Sequence, residues 1–178
     1  MIIRLIAKLL ALLNSNSRAV EIGAAVAFGL WLAFVPASNL LFAALVLVLF
    51  LVKVNLGMAI ASTLVFSLLA PLVDPLLDRV GFAVLSLPGL QAFFRAAYAL
   101  PIVPLSRFND TIVAGGFLAG AALFMPVTLV SVVLVRLYRK HIHARIANSK
   151  LVKAFMATPF AQRVASAVRG VQRVWPTA

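Results

Sequence analysis

The sequence predicts an all-α integral membrane protein: two full transmembrane helices, Pro-broken or re-entrant hairpin segments, and amphipathic terminal helices. Three observations predict it. Of 178 residues, 64% are hydrophobic and 11% charged, against roughly 45–50% and about 25% in an ordinary soluble domain. The chain holds 16 Lys and Arg but only four acids, Glu21, Asp74, Asp78 and Asp110. The cations flank the apolar runs and form no polar domain of their own. A water-soluble fold must cover its core with polar side chains that this composition lacks, so lipid is expected to cover it.

The charges also predict orientation. From Arg136 onward stand Arg136, Arg139, Lys140, Arg145, Lys150, Lys153, Arg163, Arg169 and Arg173 with no acid, and the start carries Arg4, Lys8 and Arg18. Short basic flanks favour the cytoplasmic side, so both termini are expected there and the number of crossings is expected to be even. A net charge of +12 would also suit nucleic acid. Because the cations adjoin apolar spans, anionic lipid headgroups on the cytoplasmic side are the expected partner and nucleic acid is not. The absence of cysteine excludes disulfides, Cys-ligated iron–sulfur clusters and thiol catalysis.

Along the chain, residues 1–17 begin with MIIRLIAKLLALL, which sets Arg4 and Lys8 one turn apart and is too short to span. An interfacial helix is favoured over a signal peptide, since two charges interrupt the run and no convincing small-residue cleavage site follows. The membrane domain is expected over 18–140. Within it, 19–52 has Glu21 as its one ionisable residue besides the flanks and Pro36, Ser38 and Asn39 near its middle. As one helix it would measure about 50 Å, far beyond a hydrocarbon core of about 30 Å. As two arms of about 22 Å each it suits a re-entrant hairpin, which is favoured over two short full spans. Segment 54–73 is an uncharged run of about 20 residues, one crossing long. The stretch with Pro71, Asp74, Pro75, Asp78 and Arg79 is expected to end that span. Segment 80–94, with Pro88-Gly89, reads as a short re-entrant or interfacial element, and a polar loop around Arg107, Asn109 and Asp110 follows. Segment 111–135 is the second uncharged span. Residues 141–178 form a basic amphipathic cytoplasmic tail whose apolar residues recur mostly every four positions.

IGAAVAFGLWLAFVP, ending at Pro36, resembles IVAGGFLAGAALFMP, ending at Pro126. Two related broken helices would give this pattern, and so would chance between two Ala- and Gly-rich segments.

No acid, base and nucleophile converge in a catalytic pattern, so no enzyme activity is expected. His141 and His143 stand among cations and lack further ligands, so no metal or other cofactor is expected. Glu21 suits a helix N-terminus. Asp74 and Asp78 read as an exposed helix end. The candidate headgroup or groove contacts are Lys53, Asn55, Pro36, Ser38, Asn39 and Arg107: unwound backbone at membrane depth must face protein or a wet cavity, and a cation between apolar runs must reach an interface or an anion. A tight turn at 36–39 and a snorkelling Lys53 are the plain alternatives. Gly29, Gly115, Gly116 and Gly120 are assigned to helix packing. Arg4, Lys8, Arg139, Lys140, Arg145, Lys150 and Lys153 are assigned to the membrane surface.

Over roughly 18–140 the chain resembles the bacterial membrane family catalogued as the domain of unknown function numbered 2062, in its small stand-alone branch. The residues that carry the likeness are the Gly29, Phe34 and Pro36 stretch, Lys53-Val-Asn55, and the Pro-containing 71–81 segment ending at Gly81. Ala37-Ser38-Asn39 and APLVDP depart from the usual family pattern. The resemblance implies a bacterial inner-membrane protein of unassigned activity and points toward envelope biogenesis, with a larger envelope protein as the expected partner. The residues and the resemblance together lead to an expected role in handling or admitting lipid within an assembly. The rival expectations are a non-transporting anchor and, behind it, a small-solute transporter or channel.

Overall fold

The computed structural model describes residues 17–142. The chain divides into two units after Arg136. The first is a helical bundle of α1 (Ala19–Phe34), α2 (Leu40–Leu51), α3 (Leu56–Leu85), α4 (Gln91–Tyr98) and α5 (Thr111–Leu137), with single 3-10 turns at Pro88–Leu90 and Val103–Ser106. In the second, Tyr138–Ile142 form a π turn. Among the described residues there is no strand.

α1 is the inner helix. It is apolar on every side, which suits burial on every side, and Ile22, Ala25, Phe28, Leu30, Leu32 and Phe34 are all buried. Glycine allows its neighbours to come so close. A Cβ on Gly29 would stand 2.8 Å from the Thr63 nitrogen and 2.9 Å from the Ala59 carbonyl oxygen of α3. One on Gly23 would stand 2.8 Å from the Thr128 carbonyl oxygen of α5. Gly116 faces the Phe34 carbonyl, and Gly120 lies under the Trp31 indole. Around that ring Phe28, Phe117 and Phe124 form an aromatic cluster, and Trp31 Nε1 donates to the Phe117 carbonyl at 3.0 Å. α3 and α5 cross at a reciprocal pair: a Cβ on Gly81 would overlap the Thr111 carbonyl, and one on Gly115 the Leu77 carbonyl.

These contacts set direction. Gly23 meets Thr128 and Val132 while Phe34 meets Gly116, so α1 and α5 run antiparallel. The Asn55 N–H donates to the Glu21 carbonyl at 3.4 Å, so α1 and α3 start at the same end. α2 therefore returns the chain to that near end, where Arg18, Lys53 and Asn55 lie. The 35–39 turn, α4 and its flanking 3-10 turns form the far end. α2 buries only Leu45 and Leu49, one turn apart, and leaves Phe50 and Leu51 66% and 77% exposed.

Two expected breaks are absent. The span expected to close at 73 continues through Pro71 and Pro75 to Leu85, absorbing the start of the segment expected at 80–94. Pro126 likewise lies inside α5, so the second of the two supposed broken helices is continuous. A proline removes one amide donor and strains one turn, but tertiary contacts beyond it hold the helix. Past Pro75 these are Leu77 and Gly81 against α5; past Pro126 they are Thr128 and Val132 against Gly23. Pro36 does end its helix, because Asn39 supplies a new start three residues later.

Candidate functional site

At the far end, Asn39 organises the hairpin turn. Its Nδ2 donates to the Pro36 carbonyl at 2.7 Å and its Oδ1 accepts from the Phe42 N–H at 2.8 Å, capping α2. Both halves of the amide are engaged and the residue is buried, so Asn39 builds the turn and does not face a groove. Pro36 and Ser38 are exposed beside it. Arg107, at a left-handed φ of 51°, reaches across so that Nη1 donates to Ser38 Oγ at 3.5 Å. The tip of the hairpin therefore meets the loop that leads into α5. The hairpin of α1 and α2 thus runs from the shared starts of α1 and α3 to the loop before α5.

At the near end, Asn55 does for α3 what Asn39 does for α2. Its Oδ1 accepts from the Met58 N–H at 2.9 Å and its Nδ2 donates to Ser17 Oγ at 3.0 Å. Glu21 closes the start of α1, with Oε2 accepting from the Arg18 N–H at 3.1 Å. Lys53, between α2 and α3, is exposed. The polar candidates thus separate into residues spent on helix starts, Asn39 and Asn55, and residues left outward, Ser38, Lys53 and Arg107. Arg139 and Lys140 stand on the π turn. Arg4, Lys8, Arg145, Lys150 and Lys153, with the 1–16 part of the interfacial helix and the tail from 143, lie outside the described residues.

Asp78 and Asp110 are structural as well, and Asp74 and Asp78, expected at an exposed helix end, both lie half-buried inside α3. Asp78 accepts from Thr111 Oγ1, tying α3 to the start of α5. Asp110 Oδ1 accepts from the Ile112 N–H at 3.0 Å and caps α5. Among the described residues no three or more metal-ligating side chains cluster.

Sequence reasoning missed a cleft of about 320 Å³ at the far end, between the end of α3, α4 and the loop before α5. The signal was present in QAFFRAAY, where Gln91, Phe94 and Ala97 mark one helical face. In the structure these three are half-buried and Arg95 is exposed.

Fold and site define the class as an all-α bundle in which Leu56–Leu85 and Thr111–Lys140 are long and apolar enough to cross a membrane. An uncharacterised protein of Treponema pallidum (strain Nichols) is 33% identical over 161 residues, covering 90% of this chain and 99% of that relative, and the chain belongs to its family. No family model and no solved structure matches.

Proposed function

We propose that the protein is a multi-pass component of a bacterial cytoplasmic membrane, with both termini cytoplasmic, and that it handles or admits lipid as a subunit of a larger envelope assembly. On this reading it is a member of the family catalogued as the domain of unknown function numbered 2062. The role is non-enzymatic: Asn39, Asn55, Glu21, Asp78 and Asp110 have their side chains committed to helix starts and helix contacts.

One observation carries the lipid reading. α2 has 12 residues, about 18 Å at the α-helical rise, against a hydrocarbon core of about 30 Å. Exposed polar groups sit at both of its ends, Ser38 with Arg107 on one side and Lys53 on the other. Its outer face is apolar, with Leu47, Val48, Phe50 and Leu51 exposed. A short apolar face between two polar stations draws the leaflets together. Headgroups gathered at Lys53 and at Arg107 then face a shorter apolar barrier beside α2 than in the open bilayer. Exposed leucines along α3 and α5, Leu68 at 80% among them, support membrane residence, since apolar patches of this extent rarely stay bare in water.

The experiment is lipid movement between leaflets of vesicles containing the purified protein, read by quenching of fluorescent phospholipid from outside. Faster movement than in protein-free vesicles, reduced by Lys53→Ala, is the expected result. No movement and no lipid binding, with full complementation by Lys53→Ala in cells, would leave the anchor reading in its place.

A further inference from the structure

At the far-end cleft three polar side chains keep hydrogen-bonding groups without a partner among the described residues. Leu85, Phe94 and Phe108 form the apolar floor of this cleft, and Arg95, Tyr98 and Asn109 stand over it. Phe108 packs on Phe94 at 5.9 Å and edge-on to Tyr98 at 6.0 Å, which holds the floor in place. Gln91 is engaged, donating from Nε2 to the Leu85 carbonyl at 2.5 Å. Arg95 gives only a long 3.4 Å bond from Nε to the Gln91 carbonyl, so its two terminal nitrogens are uncommitted among the described residues. The Tyr98 hydroxyl and the Asn109 amide have no partner there either. The lining contains one cation and no carboxylate.

We propose that this cleft binds the phosphodiester headgroup of a glycerophospholipid, with Arg95 as the anion contact and Tyr98 and Asn109 as neutral donors. A single guanidinium with neutral donors matches a monoanion better than a dianion. About 320 Å³ accommodates a headgroup with its glycerol and not a whole lipid. The acyl chains have their own place outside: Leu87, Phe93, Leu100, Ile102 and Leu105 are all exposed on the same segment. Aromatic floor and cationic rim together are what a membrane interface favours. The proposal rests on membrane residence but not on lipid movement.

The test uses the full chain in nanodiscs containing phosphatidylglycerol with a photoreactive group beside the headgroup, followed by tryptic peptide mapping. Labelling concentrates in 80–107. Arg95→Gln lowers it about ten-fold, the scale of a lost charge-assisted hydrogen bond, and Arg95→Lys retains most of it. Both variants alter an exposed side chain, so the fold is retained, and unchanged melting checks this. Labelling spread evenly over α2, α3 and α5 and insensitive to Arg95→Gln overturns the proposal. Competition by millimolar soluble glycerol phosphate also overturns it, by making a free phosphate the ligand. The leaflet-exchange assay on the same preparations separates the two readings. Cleft labelling without exchange supports this site and removes lipid movement; exchange without cleft labelling does the reverse.

Discussion

Asn39 and Asn55 occupy the same station on successive helices, each accepting from the amide three residues on. Replacing a cap of this kind by alanine costs about 1 kcal/mol. Asn39→Ala and Asn55→Ala should each lower stability by that order in detergent melting. Asn39→Asp should recover part of the loss, because the carboxylate still accepts from Phe42 but no longer donates to Pro36. The glycines predict a larger effect. Gly81→Ala and Gly115→Ala drive a methyl into a facing carbonyl, and overpacking of a tight contact costs about 1–3 kcal/mol. Gly89→Ala is the control, since a Cβ there would meet nothing within 4 Å, and its melting should be nearly unchanged.

At the scale of elements, α2 and α3 have opposite relations to length. α3 has 30 residues, about 45 Å, longer than one hydrocarbon thickness, while α2 is much shorter than one. On the proposed reading this short leg is the functional one. Inserting four leucines after Val46 lengthens α2 by about 6 Å and keeps Leu45 and the next buried leucine near one face. Mismatch costs fractions of a kcal/mol per Å, so lipid exchange should slow about ten-fold. An unchanged rate in a normally folded variant would show that the length of α2 is irrelevant. Prolines also behave by element. Pro36 ends a helix because an asparagine waits to start the next, whereas Pro71, Pro75 and Pro126 are carried through by contacts on their far sides.

For the whole molecule, the two ends of the bundle give a topology that can be tested. Ser38 is bonded to Arg107 near Asn109, and Lys53 lies with the starts of α1 and α3 at the other end. The chain contains no cysteine, so single Ser38→Cys, Asn109→Cys and Lys53→Cys variants report sidedness without background. Ser38→Cys and Asn109→Cys should react from outside intact cells with a membrane-impermeant maleimide, and Lys53→Cys only after the membrane is opened. Labelling of Asn109→Cys solely after opening would invert the orientation. Asp78 is a poor probe position, because its carboxylate ties α3 to Thr111.

Composition and run length made the helical class readable, with two long apolar helices and a turn at Pro36, because apolar length and a proline followed by a capping asparagine are local properties. The basic flanks suggested an orientation in the same local way. Only tertiary structure decided that Pro71, Pro75 and Pro126 do not break a helix. They offer the same missing amide as Pro36, and contacts from residues distant in the chain carry the helix past them. It also decided which polar residues are spent: Asn39 and Asn55 read as groove candidates until their backbone partners were visible. The far-end cleft needed more distant information: Arg95 and Tyr98 share one turn of α4, but Asn109 and the end of α3 join them only once the loop before α5 packs Phe108 against Phe94 and Tyr98. Periodicity describes one helix at a time, and a site between elements exists only once their packing is set.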